Sequence, residues 1–366
     1  MFSTDYQNIA QKVKTLDPVG YSSTRNYVDG NVSYLSPYIS RGVISTKQVL
    51  QSLIDRGYNL YHQEKFIQEL AWRDYWQQIW VAKGDQINTD LKQQQEKVAH
   101  HDIPTSLMKA TTGIAAVDHA IIKFYDTGYI HNHIRMYIAA IACNIGQSHW
   151  FAPAQWMYYN LLDADWASNA LSWQWVAGAN SGKKYYAEQA NINKFCYTEQ
   201  HGTYLDMPKE DLHDVDIPNE LIDTSTFKFE TPLPEKQQIE VDSELPTYIY
   251  NFYNLDPLWH QEEKANRILL LEPSLFEQYP VSQKSIDFIL SLSDNIEGIQ
   301  VYIGEFTEMK QEYKLNDIVY KEHPLNQHYK GTEEPRDWMF SPKGYFPSFF
   351  AYWKKCRKEL KQLAEA

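Results

Sequence analysis

The chain has 366 residues, and its composition excludes several classes of protein. Apolar residues make up 43% of it and aromatic residues 14%, which is typical of a folded globular protein and not of a disordered one. The cysteines, Cys143, Cys196 and Cys356, have no paired spacing, so we expect neither a disulfide framework nor a metal site. No apolar run is long enough for a membrane span, and the first residues lack a signal-peptide pattern. We therefore expect a cytoplasmic protein that does not bind membranes.

The formal net charge of −13 is divided unevenly along the chain. Residues 1–200 contain 17 Lys/Arg and 17 Asp/Glu, whereas residues 201–366 contain 17 and 30. The acidic excess therefore lies entirely in the second part of the chain. Because a local basic groove can bind phosphates whatever the total charge is, the negative balance does not exclude a nucleic-acid partner for the first part.

Helix signals dominate the first 205 residues. Thr4-x-x-Gln7 and Ser45-x-x-Gln48 are capping-box patterns, which predict helix starts. Glycines stand where helices should end, at Gly57, Gly84 and Gly128. These signals predict an all-helical domain at 1–205.

The composition changes after this domain. Residues 206–244 are rich in acidic residues and contain four prolines, which predicts a solvated linker. Beyond it, short apolar runs alternate with helical stretches such as Ser282–Leu292, which predicts a small α/β domain with a parallel, Rossmann-like sheet at 245–366. The predicted strands are Tyr248–Phe252, Arg267–Leu271, Ile299–Ile303 and Ile318–Tyr320. The fold class is therefore mainly α, with a helical domain followed by a small α/β domain.

One predicted helix, Phe66–Trp76, places acidic, basic and aromatic side chains together. Glu69, Trp72, Arg73 and Trp76 follow the spacing i, i+3, i+4 and i+7, so they share a face. A buried carboxylate beside a ring and a guanidinium must be paired or used in a site. The alternative is an aromatic helix face with an internal Glu–Arg ion pair.

Two later helices repeat this mixture of polar and apolar groups. Asn132, Arg135 and Met136 share one face, where an amide and a thioether could line a site for a base; a satisfied core is the alternative. Trp173 and Trp175 are two residues apart and so point about 200° away from each other on a helix. One of the two indoles can then face a pocket while the other faces the interior.

In this order, the segments resemble the photolyase/cryptochrome family, and dimer photolyases in particular. Three further blocks are similar to family blocks, namely Tyr34–Ser45, Thr112–Asp118 and Thr127–Asn132. The resemblance spans about Tyr21 to Trp175 and implies that the helical domain binds FAD. Family members usually begin with an α/β domain that holds an antenna chromophore, whereas here the α/β-like part comes last. Its likeness to an antenna domain is faint, and the chromophore is left open.

The resemblance also implies which residues bind FAD. The implied cofactor-binding residues are Tyr21, Ser33, Leu35, Ser36, Arg73, Arg135, Asp163, Asp165 and Asn169. Asn169 would lie beside flavin N5, where an asparagine favours the reduced flavin that repair needs. The chain departs from the family at Tyr34, because the phosphate loop usually has an arginine there.

The resemblance implies a thymine-dimer pocket as well. Its lining would be Glu69, Trp72, Asn132, Met136 and Trp175. Trp72, Met136 and Trp175 would bind the substrate, whereas Glu69, Asn132 and Asn169 would be catalytic. Glu69 would donate a hydrogen bond or proton to the dimer, which requires a carboxyl group whose pKa is raised by burial. The branch that repairs (6-4) photoproducts has histidines in place of Asn132 and Met136, and is therefore disfavoured.

Electron transfer and DNA contacts follow from the same resemblance. Trp173 and Trp150 match the first two members of the family's tryptophan chain, although core packing alone also explains Trp150. Residues 81–149 contain no tryptophan to serve as the third member; Trp76, Trp80 or a tyrosine could replace it. Basic residues that could contact DNA phosphates are Arg25 and Lys183, together with Arg41 and Lys184. His133 stands where the family often has an arginine.

The main hypothesis is a deoxyribodipyrimidine photolyase-like lyase. It would repair cyclobutane pyrimidine dimers in single- or double-stranded DNA by electron transfer from excited, reduced FAD. The alternative is a cryptochrome-like blue-light receptor that binds FAD without repairing DNA and recruits a protein partner through its acidic C-terminal part. A helical FAD-binding protein without photochemistry is the third hypothesis.

Overall fold

A computed structural model describes residues 2–365 and shows a chain with more helix than strand and with one parallel sheet. The α-helices are α1 (Tyr6–Lys14), α2 (Pro18–Thr24), α3 (Ser36–Ser40), α4 (Thr46–Asp55), α5 (Glu64–Lys83), α6 (Thr105–Lys109), α7 (Ala115–Thr127), α8 (Asn132–Ala140), α9 (Phe151–Asn160), α10 (Trp166–Ala177), α11 (Gln189–Cys196), α12 (Asn219–Ile222), α13 (Pro273–Gln278), α14 (Gln283–Ser293), α15 (Phe306–Glu312) and α16 (Phe349–Glu365). The strands are β1 (Ile103–Pro104), β2 (Thr224–Ser225), β3 (Thr247–Tyr250), β4 (Asn266–Leu271), β5 (Ile299–Ile303), β6 (Ile318–Lys321) and β7 (Thr332–Glu334).

The chain forms two compact units. The unit that we call the sheet unit consists of Met1–Pro18, Ser33–Ala82 and Glu230–Ala366, and the helical unit consists of Val19–Val32 and Lys83–Phe229. The sheet unit therefore combines helices from the first part of the chain with all five parallel strands. The predicted division into domains at 1–205 and 245–366, with a linker at 206–244, stays a prediction.

The sheet has the strand order β5-β4-β3-β6-β7, and each neighbouring pair is parallel. Every residue of β3 and β4 is buried, as is typical of parallel strands covered on both faces. The four strands predicted from apolar runs are present to within one or two residues. The short edge strand β7 was not predicted, because its sequence, Thr-Glu-Glu, has none of the apolar character that marks a strand.

A turn of the N-terminal part is tightly joined to the sheet within the sheet unit. Gly42 has φ +65°, and a Cβ atom there would lie 2.5 Å from the carbonyl oxygen of Tyr253, just after β3. The backbone N–H of Leu255 donates to the carbonyl of Arg41 (2.9 Å), whose guanidinium lies 3.6 Å from the ring centre of Phe252. These contacts lie at the carboxyl ends of β3 and β6, the switch point where sheets of this type commonly bind ligands.

Helix ends follow the sequence signals in most places. The Ser45 capping box is confirmed, since Ser45 Oγ accepts from the N–H of Gln48 and Gln48 Oε1 accepts from the N–H of Ser45. The signal at Thr4 is misplaced by one residue, because the carboxylate of Asp5 caps α1 by accepting from the N–H of Asn8 at 2.9 Å. The predicted helix ends are confirmed where α4, α5 and α7 are followed by glycines with positive φ.

The helical unit is built around α8 and α10. Helix α8 continues into a π-helical turn at Ile141–Ile145, and all five residues of that turn are buried. One antiparallel pair, β1 with β2, interrupts the helices; a strand of two residues is too short to show a period in the sequence. Within residues 2–365, none of the helices combines the length and the apolar character that crossing a bilayer requires.

Candidate functional site

Trp72 lies on α5 with one ring face covered by the C-terminal part of the chain. Its ring is stacked on that of Phe349, with the centroids 3.8 Å apart and the planes 9° apart. Phe349 is the first residue of α16 and is buried. Tyr75 and Trp76 contact other parts of the indole, at centroid distances of 5.6 and 5.1 Å. Trp72 is therefore part of an aromatic cluster within the sheet unit.

The C-terminal segment, which we define as residues 335–365, is held on α5 by several hydrogen bonds. These bonds join Arg336 Nη1 to Gln77 Oε1 (2.7 Å), Met339 N to Asp74 Oδ2 (3.0 Å), Gly344 N to Gln78 Oε1 (2.9 Å) and Trp353 Nε1 to Glu64 Oε1 (3.1 Å). They are spread along most of the helix. The stacking of Phe349 on Trp72 is thus one contact of an extended interface inside the sheet unit.

Asp74 is the buried carboxylate of this interface. Both of its oxygens lie 3.1 Å from the hydroxyl of Thr46, and it also accepts from the backbone of Met339. Burial raises the pKa of Asp74 to about 6, since the loss of hydration outweighs these hydrogen bonds and the nearby positive charges of Arg336 and Arg73. The sequence reasoning missed this group, because Asp74 lies off the helix face shared by Glu69 and Trp72.

Glu69 and Arg73 have different partners in the structure. Glu69 lies 3.6 Å from the Nζ of Lys65, and 32% of its side chain is exposed. Arg73 donates from Nη1 to the hydroxyl of Ser40 at 2.6 Å. The burial that we expected for Glu69 is therefore absent, because the carboxylate points to a side of α5 that solvent and a lysine share.

The predicted phosphate-binding residues fall in both units. Ser33, Leu35 and Ser36 lie at the start of the short helix α3 in the sheet unit, where the N–H of Leu35 donates to Ser33 Oγ at 3.4 Å. Tyr34 between them has φ 52° and is exposed. Tyr21 lies on α2 in the helical unit.

An arginine–aspartate pair joins α8 to the loop before α10 in the helical unit. Arg135 Nη2 lies 2.9 Å and 3.1 Å from the two oxygens of Asp163, and its Nε donates to the carbonyl of Ile130 at 2.9 Å. Asp163 is 3% exposed, so the pair neutralises a buried carboxylate. On the same helix, Asn132 is exposed and Met136 is half-buried.

Helix α10 carries most of the other predicted residues of the helical unit. Asp165 caps the helix by accepting from the N–H of Ser168 at 2.8 Å. Asn169 is buried and donates from Nδ2 to the carbonyl of Ala154 at 2.8 Å. Trp173 is 2% exposed whereas Trp175 is 38% exposed, so the two indoles differ as their spacing requires.

Trp150 is buried directly before α9 and makes a contact that sequence reasoning missed. Its Nε1–H donates to the Oδ1 of Asp90 at 2.7 Å. Trp76 and Trp80, which were considered as replacements for the third tryptophan, are both buried in the sheet unit. Asp90 gave no signal in the sequence, because it lies in a loop sixty residues before its partner.

The basic residues have different surroundings. Arg41 is fully buried beneath Phe252, so the idea that it contacts DNA phosphates is wrong: the turn that carries it packs on the sheet. Arg25 donates from Nη1 to the carbonyl of Ser22, and Lys183 is exposed. Lys184 donates from Nζ to the carbonyl of Glu96 at 2.8 Å, and His133 donates from Nδ1 to the carbonyl of Asn26 at 2.8 Å, so both are part of the local packing.

The helical unit offers polar groups that fit a flavin. Ser168 Oγ is a buried atom that has no hydrogen-bond partner within residues 2–365, and a buried hydroxyl normally has one. It stands one residue before Asn169, on the helix that Asp165 caps. The guanidinium of Arg135 on α8, whose charge is balanced by Asp163, adds N–H donors. A heterocycle with several hydrogen-bond acceptors matches this set of donors.

Comparison with known proteins finds a family whose match includes most of the helical unit. The FAD-binding domain of DNA photolyase matches residues 66–253, which is just over half of the chain. A deoxyribodipyrimidine photo-lyase of Alkalihalophilus pseudofirmus is 26% identical over 191 residues, covering 51% of this chain and 40% of that protein. One of Buchnera aphidicola is 24% identical over 234 residues, covering 61% and 47%. The chain therefore spans less than half of the length of these relatives.

Solved structures of two photolyase or cryptochrome proteins are also similar to parts of the chain. A cryptochrome from Synechocystis sp. has a TM-score of 0.45 and 22% identity, over 53% of this chain and 44% of that one. A class III photolyase from Agrobacterium tumefaciens has a TM-score of 0.42 and 23% identity, over 52% and 42%.

Proposed function

The chain belongs to the photolyase/cryptochrome family, and from that premise we propose that it repairs cyclobutane pyrimidine dimers in DNA in a light-dependent reaction. The observation that carries the proposal is the indole of Trp175, which is 38% exposed although most of helix α10 is buried. A large exposed ring on a rigid helix is a stacking surface for a base. The family match indicates the cofactor, and the exposed indole of Trp175 offers a surface on which the substrate could stack.

FAD is the cofactor of the matched domain, and its binding residues are proposed from the groups described above. In the helical unit these are Arg135, Asp163, Asp165 and Asn169, with Tyr21 on α2. Ser33, Leu35, Ser36 and Arg73, which lie in the sheet unit, stay predictions from the resemblance. When bound and reduced, FAD supplies the electron that splits the dimer after light absorption. The buried Arg135–Asp163 pair would orient Asn169 and the loop before α10 by fixing α8 against that loop.

The substrate contacts follow from the chemistry of the exposed groups. A dimer must leave the duplex to reach a flavin, and a damaged, poorly paired step is the cheapest to flip. Trp175 would stack on one base, Asn132 would hydrogen-bond to a base edge, and Met136 would contact the apolar side of the dimer. Arg25 and Lys183 would contact the flanking phosphates.

Glu69 would act on the carbonyl oxygen that gains negative charge. In the structure its carboxylate is partly exposed and close to Lys65, so it must lose water before it can hold a proton near neutral pH. A bound base that covers the exposed part of the side chain would supply that loss of water. Trp173 and Trp150 are the proposed route by which an oxidised flavin is reduced again.

A specific observation favours a second function, a blue-light receptor. Phe349 is stacked on Trp72, so that face of Trp72 is closed to a base for as long as the C-terminal segment stays on α5. A receptor needs no open stacking face, and its response could use the acidic second part of the chain to bind a protein partner. This alternative predicts FAD binding without any loss of dimers.

Repair can be tested with purified, chemically reduced protein. Oligonucleotides with one thymine dimer, single- and double-stranded, are illuminated and the loss of the dimer is followed. Trp175→Ala should lower the affinity for the dimer by about tenfold or more, as expected for the loss of one stacked base worth ~1–3 kcal/mol. Phe227→Ala is the matched control, since Phe227 is an exposed ring elsewhere in the helical unit. If the flavin-loaded protein repairs neither substrate, the receptor replaces the enzyme as the better proposal.

A further inference from the structure

Trp150 has a hydrogen-bond partner that can accept its proton. The indole is fully buried, and its Nε1–H donates to the Oδ1 of Asp90 at 2.7 Å. Buried tryptophans usually find an acceptor, and a neutral carbonyl or amide would be enough for packing. Here the acceptor is a carboxylate, the group that can also act as a base.

Asp90 lies between the buried indole and solvent. Its Oδ2 accepts from the N–H of Gln95 at 2.8 Å, and its Oδ1 also lies 3.2 Å from Nε2 of His149. Its side chain is 18% exposed. It borders a pocket of about 440 Å³ that is also lined by Asn88, Thr89, Gln94 and His149. A proton that reaches Asp90 can therefore leave to water.

An indole that has lost an electron is a much stronger acid than a neutral indole. A base whose acceptor atom lies within about 2.6–3.2 Å of the donor atom is in position to take its proton, and Oδ1 of Asp90 meets this distance. We infer that Asp90 is the base that removes the Nε1 proton from oxidised Trp150, so that Trp150 can end the electron route without a third tryptophan. The inference rests on the proposed route through Trp173 and Trp150.

The step balances in electrons and protons. Trp173 would give one electron to the light-excited, oxidised flavin, which would be the oxidant, and Trp150 would replace the electron that Trp173 has lost. The Nε1–H bond of Trp150 then breaks, and its proton forms an O–H bond with Oδ1 of Asp90. A neutral indole radical remains until it regains one electron from a thiolate reductant, which becomes a thiyl radical, and one proton by way of Asp90. Because the neutral radical carries no positive charge, the electron cannot simply return to it from the flavin.

This role gives the pocket beside Asp90 a function. In a longer chain of tryptophans the last member lies at the surface, where water takes up its proton. Here the last indole is buried, and the carboxylate takes the place of surface water. His149 lies beside the same oxygen, and burial lowers the pKa of His149 despite the neighbouring carboxylate. Because Nδ1 of His149 accepts from the N–H of Phe151 at 3.4 Å, its neutral imidazole donates from Nε2 to the carboxylate, and the proton that Asp90 takes up leaves to the water of the pocket.

The test is transient absorption of the flavin-loaded, oxidised protein after a blue flash, with dithiothreitol as the reductant. Wild-type protein should show the spectrum of a neutral tryptophan radical. Asp90→Asn keeps an oxygen that can accept the indole hydrogen bond but is not a base, and should slow the loss of the proton by about 100-fold or more. The radical cation of Trp150 should then persist until it takes an electron back and becomes a neutral, closed-shell indole again. Asp85→Asn is the matched control, because Asp85 is an exposed carboxylate in the same stretch of the chain.

The possible outcomes separate the inference from the proposed route. If Asp90→Asn forms the neutral radical at the wild-type rate, Asp90 is not the base. If Trp150→Phe leaves the radical signals unchanged, Trp150 is not on the route, and the proposed route fails together with the inference. Dimer repair by chemically reduced protein is a separate measurement and does not depend on either result.

A second measurement can be made on the wild-type protein itself. Infrared difference spectra of the wild-type protein should show the C=O band of a protonated carboxyl group, rising with the same rate as the neutral radical. Asp90→Glu should retain a shifted band, because a longer side chain keeps the basic group. A neutral radical that rises without any such band in the wild-type protein would overturn the inference even if Asp90→Asn fails to fold.

Discussion

Asp74 should make the stability of the protein depend on pH in a way that one substitution removes. Its folded-state pKa is raised from 3.8 to about 6 by burial. In the folded state the carboxyl group of Asp74 therefore stays protonated between about pH 4 and pH 6, whereas in the unfolded chain it is already ionised. The stabilisation of the folded protein by this proton is fully present below the pKa of the unfolded chain, and it is lost as the pH rises through the pKa of the folded state. The difference of about two pKa units corresponds to roughly 3 kcal/mol.

The assay compares wild-type protein with Asp74→Asn by urea unfolding from pH 4 to pH 7.5. The free energy of unfolding of Asp74→Asn, relative to wild type, should rise by about 2–2.5 kcal/mol between pH 4 and pH 7, because at pH 4 part of the unfolded chain is still protonated. Asp55→Asn on α4 is the control, since Asp55 is exposed and should give a nearly constant difference. Parallel curves for wild type and Asp74→Asn would refute the reasoning, because they would mean that burial does not hold the proton on Asp74.

Three further predictions test packing. Phe349→Ala should lower the free energy of unfolding by about 3–5 kcal/mol, since it removes a buried, stacked ring; a loss below about 1 kcal/mol in urea unfolding would contradict the stack. Gly42→Ala should lower the melting temperature more than Gly57→Ala does, because both have positive φ but only Gly42 would place a Cβ atom against backbone, 2.5 Å from Tyr253 O. Asp163→Asn should cost about 1–3 kcal/mol by leaving the guanidinium of Arg135, which is 22% exposed, without its carboxylate, and flavin content measured by absorbance should fall; unchanged flavin content would separate the pair from cofactor binding.

The sequence predicted those features that depend on nearby residues. The Ser45 capping box, the strands β3 to β6 and the different exposures of Trp173 and Trp175 all follow from spacing within one element. Each of these features is determined by residues that are close together in the sequence, so distant segments have little influence on it. The cofactor class could be predicted as well, because several blocks in a fixed order resemble one family.

The features that were missed depend on partners far along the chain. Asp74 accepts a hydrogen bond from the backbone N–H of Met339, and Phe349 covers one face of Trp72. The periodicity of α5 shows which face of the helix is apolar, but it does not show which segment of the chain covers that face. Buried residues of α16 do recur at helical spacing, so the helix itself could have been predicted, although its position could not. For Asp90, a single carboxylate in a loop gives no pattern at all.

The sheet unit is assembled from three separate stretches of chain, and this affects synthesis. Ser33–Ala82 belongs with Glu230–Ala366, whereas most of the helical unit is the continuous stretch Lys83–Phe229. At ~5–20 residues per second, the ribosome needs roughly 15–60 s to make the rest of the chain after α5. During that time the aromatic face of α5 has neither the sheet nor the C-terminal segment to cover it. We expect this nascent helix to be a target for chaperones, and chains that stop before α16 to aggregate through it.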